Sequence, residues 1–278
     1  MKKLIMILLV TAAAASAGTV LAQEVKREIT RVTFDVYRFQ NQFHNNIFVI
    51  TGDGVVVTDP INAEAAAWLR AEIAKLTDEP IKYLVYSHSH GDHASGGTEY
   101  GEVPNVIMHA NAPEDIDLVE ATERFSEQMT FTLGSKTFEL TYLGPGHGVD
   151  MIAMVVRPDE VAFVVDVVSA RRLFYRDFPG ANVDDWIEQV KRVESLDFDI
   201  LVGGHGPVGV KRDVSLGIAY LEELRAAVLL GLKAGKTVDE LKREVTMEKY
   251  KDWEAYDSWR ELNVQGMARH LTESGAVQ

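Results

Sequence analysis

The chain has no cysteine among its 278 residues. That absence excludes a disulfide framework, a thiolate metal site and a catalytic cysteine. Basic residues are scarce as well. Lysine and arginine number 28 against 42 aspartates and glutamates, for a formal net charge of −14. A surface this acidic repels phosphate backbones and anionic lipid heads, which disfavours nucleic acid as a partner; otherwise the charge serves solubility. There is no low-complexity segment, no residue-level repeat and no linker long enough to demand a second domain.

Long apolar runs are scarce too. The longest, residues 4–10, follows Lys2 and Lys3 and precedes small residues ending in Val20-Leu21-Ala22. Basic start, short apolar core and small-residue end make residues 1–22 an expected export signal, cleaved after Ala22 or Ala17. The run is short for a membrane anchor, the rival reading, and the absent cysteine excludes lipid attachment there. Cleavage removes two lysines and no acid, so the charge of −14 becomes −16. The expectation is a periplasmic or secreted protein with no stable membrane insertion.

Strand-like and helical stretches alternate along the remainder. Residues 31–39, 46–50 and 55–59 read as strands. Asn62 caps a helix over 63–76, and residues 81–86 form a buried-type strand. Residues 106–109 continue as a strand, and Pro113 is placed to open a helix over 114–123. The second half repeats this alternation, with strands within 131–143, 151–156, 161–165 and 200–202, a helix over 184–196, then helices from 214 onwards. The fold class expected is therefore α/β, two sheets face to face with helices on the outer faces. The division expected is a main domain over 23–212 and a helical extension over 213–278 packed on it.

Chemistry concentrates in His88-Ser89-His90-Gly91-Asp92-His93, directly after the strand at 81–86. Imidazole and carboxylate are ligands that zinc and iron accept, and few other uses need that density. In extended chain His88 and His90 point the same way, while Gly91 turns the chain so that Asp92 and His93 can face a second ion. Two later histidines sit in glycine-rich turns after apolar runs: His147 in Gly146-His147-Gly148 and His205 in Gly204-His205-Gly206. Asp166 ends the run 161–165, and its two oxygens suit it to bridge both ions. His44, His109 and His270 lack such context and read as structural.

This set resembles the signature of the metallo-β-lactamase fold superfamily, over roughly residues 30–210. The resemblance implies an αββα sandwich and two ions, expected as zinc with iron or manganese as alternatives. His88, His90 and His147 would hold the first, and Asp92, His93 and His205 the second, with Asp166 shared. Asp59 matches the superfamily's early acid, which supports the metal loop; an ordinary turn acid before Pro60 is the other reading.

Asp166 stands where the best-known β-lactamases of this fold carry cysteine or serine, and resembles instead the esterase, lactonase, glyoxalase II and phosphodiesterase branches. Ser169 differs from the tyrosine of acyl-homoserine lactonases. The implied activity is hydrolysis of an ester, lactone, thioester or related bond in a small molecule, with Asp92 moving the proton. Persulfide dioxygenases, which use one iron at the equivalents of His88, His147 and Asp166, supply the alternative. A β-lactamase-like amide hydrolase is a further one. Substrate contacts are sought in Arg171, Arg172 and Tyr175, against surface solvation of the arginines. Tyr37, Phe39, Phe43 and His44 are candidates for a lip over the ions, against ordinary hairpin packing. Trp253, Tyr256 and Trp259 pack either internally or on a partner chain.

Overall fold

Thirteen strands form two sheets in the computed structural model, which describes residues 25–114 and 118–277. The first sheet runs in sequence order: β1 (Arg27–Arg31), β2 (Val36–Asn41), β3 (His44–Thr51), β4 (Gly54–Thr58), β5 (Ile81–Val85), β6 (Asn105–His109) and β7 (Glu123–Phe125). It is antiparallel from β1 to β4 and parallel from β4 to β7. The second contains β8 (Gln128–Leu133), β9 (Lys136–Tyr142), β10 (Ile152–Arg157), β11 (Val161–Val164), β12 (Ile200–Gly203) and β13 (Gly209–Val210). Its order is β13-β12-β11-β10-β9-β8, with one parallel pair, β11 and β12.

Burial explains the choice of residues. β4 reads Gly-Val-Val-Val-Thr with every position buried, the continuous apolar run of a strand covered on both faces. Between the sheets lie Val49, Val56, Val85 and Ile107 from one side and Phe138, Met154, Phe163 and Val202 from the other. Outside the first sheet packs α1 (Ala63–Leu76), whose Ala66, Leu69 and Ile73 line its inner face. Its N-cap Asn62 accepts a hydrogen bond from the Ala65 amide at 2.9 Å. A one-turn α2 (Gly91–Ala94) follows β5.

Outside the second sheet lie α3 (Val183–Ser195), α4 (Lys211–Lys233), α5 (Val238–Glu244) and α6 (Tyr256–Glu273). Trp186, Val190 and Val193 of α3 share one apolar cluster with Val164 and Leu201 of the sheet and with Leu224 and Met267 of the last helices. The result is four layers, helix on sheet on sheet on helix, as expected.

Two details differ from the sequence reading. The helix expected over 114–123 is absent among its described residues: 118–122 are irregular and Glu123–Phe125 is edge strand β7. There Thr122 bonds the Val106 amide through its hydroxyl at 2.8 Å, so the first sheet's edge captures the segment. The strand expected over 31–39 is a hairpin, since the Val32 and Thr33 amides both donate to Val36 O. Of the two readings open for Trp253, the internal one holds: its ring meets Tyr250 at 4.8 Å. The expected export signal lies outside the described residues, among which no helix is long and apolar enough to cross a membrane.

Phe138 stacks on Phe131 at 4.7 Å and is fully buried between the sheets. Phe138→Ala should lower unfolding free energy by about 3–5 kcal/mol, read from the shift in a urea unfolding midpoint.

Candidate metal centre

The parallel pairs β4·β5 and β11·β12 bring strand carboxyl ends to a common edge, where a site belongs in such sheets. Asp59 directly follows β4, the 88–93 run follows β5, Asp166 follows β11 and His205 follows β12. His147 arrives on the loop between β9 and β10.

α2 splits the hexapeptide. His88 and His90 gather with His147 and Asp166; Asp92 and His93 gather with His205 and His44. Within each set the ligand atoms lie within 4.8 Å of one another. Asp166 sits between the sets. Its Oδ2 is 3.4 Å from His147 Nε2, 3.4 Å from His93 Nε2 and 3.8 Å from His88 Nε2, and its Oδ1 is 3.1 Å from His205 Nε2. Asp166 also holds a left-handed backbone, φ 59°, unusual for a non-glycine residue and typical of strained functional positions.

Behind this ring stands a hydrogen-bond chain. Asp59, fully buried, accepts from the Ser87 amide at 2.8 Å and from the Ser87 hydroxyl at 2.6 Å. The hydroxyl's one proton is thus committed, so at 2.9 Å it accepts from His88 Nδ1–H, leaving His88 Nε2 bare and facing the site. Likewise His205 Nδ1 donates to the Phe43 carbonyl at 2.7 Å and leaves its Nε2 bare toward Asp166. Gln189 of α3 grips the His147 loop, accepting from the His147 amide at 2.8 Å and donating to Gly144 O at 2.6 Å. Asn45 does the same for the His205 loop, its amide nitrogen and side chain bonding the carbonyls of Gly203, Gly204 and Gly206. Gly204 is obligatory: a Cβ there would lie 2.6 Å from Val165 Cγ1 and 3.0 Å from His93 Cε1.

Charge follows position. Burial drives His88 well below the usual imidazole range, and burial with His147 nearby lowers His90, so both stay neutral. Burial also pushes His93 down, but the carboxylates of Asp166, Asp59 and Asp92 outweigh it and raise His93 to about 9. Burial opposes the charge on Asp166, yet His93, His147 and His205 hold it well below the carboxylate range. Asp92 is lowered chiefly by its hydrogen bond from His44, while desolvation lifts Asp59 to about 6.

The donor set fits divalent cations. His88 Nε2, His93 Nε2 and Asp166 Oδ1 are buried with no hydrogen-bond partner, a costly arrangement that coordination would relieve.

The family model of the metallo-beta-lactamase superfamily matches residues 41–205. The chain belongs to that superfamily. It is 25% identical over 228 residues to the 2,4-dinitroanisole O-demethylase subunit alpha of Nocardioides sp. (strain JS1661), spanning 78% of this chain and 67% of that protein. It is 27% identical over 197 residues to the metallo-beta-lactamase type 2 of Elizabethkingia meningoseptica, 66% of this chain and 79% of that one. The solved metallo-beta-lactamase of Pontibacter korlensis superposes with a TM-score of 0.63 at 20% identity, covering 71% of this chain and 99% of that one; this likeness speaks for the fold alone.

The residues that the sequence reading groups as candidate ligands lie together here, and Asp59 holds Ser87, the neighbour of His88, through two hydrogen bonds. Other expectations change. His44 is not a loop residue without context: it opens β3, and its Nε2 lies 3.3 Å from Asp92 Oδ2. Tyr37 and Phe39 form no lip; they stack on Phe48 at 4.9 Å and Trp68 at 5.3 Å, on the α1 side of the sheet. Phe43, 57% exposed, borders His44 and His205. Arg171 is exposed and lies outside the cavity lining, whereas Arg172 and Tyr175 line it. Ser87, Asn45, Gln189 and Trp259 are site residues that the sequence reading misses. Of these, Ser87 alone carries a signal, its place beside His88.

Asp59→Ala removes the acceptor that sets the His88 tautomer, and should weaken zinc binding about 10- to 100-fold in a chelator competition. In the metal-free protein His93 carries a proton below pH 9, which an ion must displace. Zinc affinity should therefore fall as pH drops through neutrality, with proton release visible as a buffer-dependent heat in titration calorimetry.

Proposed function

We propose that this protein is an exported metal-dependent hydrolase that holds two zinc ions and cleaves an ester, lactone, thioester or related bond in a small molecule. The observation that carries the reading is the Asp166 carboxylate standing between two complete ligand sets. On this reading His88, His90 and His147 hold one ion, Asp92, His93 and His205 the other, and Asp166 bridges them. Such ions, when bound, supply Lewis acidity and bring the pKa of water from about 15.7 to about 7.

The chain's own residues do the rest. Ser87, Asp59, Gln189 and Asn45 hold the imidazoles in place, so little reorganisation is needed during reaction. Asp92 is ionised, half-exposed and at the mouth of a cavity of about 690 Å³, which suits it to take a proton from the attacking water and pass it to the leaving group. His44 donates to its Oδ2 and orients it.

The single-iron oxidoreductase reading needs His88, His147 and Asp166 and leaves His90, Asp92, His93 and His205 without a purpose. A β-lactamase-like activity has the 27% identity to the Elizabethkingia enzyme in its favour, against the acid at position 166. Export rests on the basic, apolar and small-residue pattern of residues 1–22, and N-terminal sequencing of secreted material should begin at Gln23 or Gly18.

Elemental analysis of the purified protein should find about two zinc per chain, and a screen of lactones, thioesters, aryl esters, phosphodiesters and β-lactams should reveal turnover. About one iron per chain would instead support the oxidoreductase. Asp166→Ala should retain about one ion and lose nearly all turnover; unchanged metal content in that variant refutes the bridge.

A further inference from the structure

We infer that the C-terminal helix α6 builds the substrate-selective wall of the cavity, and that this wall accepts an uncharged aromatic group. This deepens the hydrolytic reading above and rests on it.

The loop after Asp166 lines the cavity with Leu173, Phe174 and Tyr175, and α6 contributes Trp259. The loop has no regular structure of its own. Arg171, Arg176 and Phe178 all have left-handed backbones, φ 48–53°, each costly for a non-glycine residue. The C-terminal segment holds them there. Glu254 forms a parallel bridge with Arg172, its amide donating to Arg171 O at 2.9 Å and its carbonyl accepting from the Leu173 amide at 3.1 Å. Asn263 of α6, fully buried, donates to Phe174 O at 2.9 Å and to Arg176 O, and accepts from the Tyr220 hydroxyl at 2.6 Å. Arg269 bonds Asp177 and the Phe178 carbonyl. Helix and loop touch so closely that a Cβ on Gly266 would sit 2.2 Å from Asp177 O.

The chemistry of the wall follows from what Arg172 does. It is the one arginine or lysine in the lining, beside the carboxylates of Asp92, Asp150 and Asp166. Its guanidinium is already engaged: it pairs with Glu254 and lies over the Trp259 ring, 4.7 Å from the centroid. A cation so neutralised is a poor receptor for an anionic substrate arm. What remains on offer is apolar and aromatic. Tyr175, 43% exposed, meets Trp259 edge-on at 5.3 Å, and Val149 is 57% exposed at the rim. An exposed tyrosine ring and a half-buried tryptophan ring, fixed by ion pairing and helix packing, are suited to stack a flat neutral group.

Kinetics and binding test this separately. Trp259→Leu should lower kcat/KM for phenyl acetate about tenfold more than for ethyl acetate, and Tyr175→Ser, at an exposed ring, should act in the same direction. Glu254→Gln frees Arg172 and should shift preference about tenfold from phenyl acetate toward 4-acetoxybenzoate. In the zinc-loaded full chain, acetophenone should shift the Trp259 indole N–H resonance, assigned by its loss in Trp259→Leu, more than 4-acetylbenzoate does. An unmoved resonance, or a neutral-to-anionic preference unchanged in Glu254→Gln, overturns the inference. If acetophenone shifts the resonance while no ester, lactone, thioester, phosphodiester or β-lactam of the screen is turned over, the aromatic wall stands and the hydrolytic reading falls.

Discussion

A nearly enclosed carboxylate, Asp166, governs this molecule. A buried anion without compensation costs several kcal/mol, so positive or coordinating groups have to surround it. Here His93, which keeps its proton to about pH 9, faces it directly, while His88, His147 and His205 bring nitrogens from the first sheet and from loops of the second that would share a cation with it. Meeting that demand pins the two sheets to each other at one edge and forces local compromises, including the left-handed backbone of Asp166 itself and the glycine at 204.

Outside the ring, three of the histidines are held by groups that do not face the site. The Asp59–Ser87 pair sets the His88 tautomer, the Phe43 carbonyl sets that of His205, and Gln189 fixes the loop carrying His147. Trp186 adds an edge-on contact to the His147 ring at 4.7 Å and anchors through its indole N–H to Val167 O at 2.9 Å. α3 thus ties the outer helical layer to the centre. The same logic reaches the C-terminus, where α6 supports a loop whose backbone is too strained to hold its shape alone.

The layered fold and most of the ring are legible in the chain. Period-two and buried apolar runs announce the strands, Asn62 and the Thr237-Glu240 capping pair announce helix starts, and the clustered histidines announce a metal centre. Among the described residues of 114–123 no helix is seen, because an unpaired sheet edge competes for residues that composition alone leaves undecided. The pairing of His44 with Asp92 is not legible, because one histidine in a polar stretch carries no local signal of a partner 48 residues away.

By itself, then, the sequence determined which residues could serve as metal ligands, because ligand type and close spacing are properties of the covalent chain. The tertiary structure decided how they divide into two sets around Asp166, which nitrogen of His88 and of His205 is bare, and that Arg172 is paired with Glu254 rather than open to a substrate. Those facts depend on hydrogen bonds and charge pairs between segments up to 162 residues apart, and no local pattern encodes a distance across the fold.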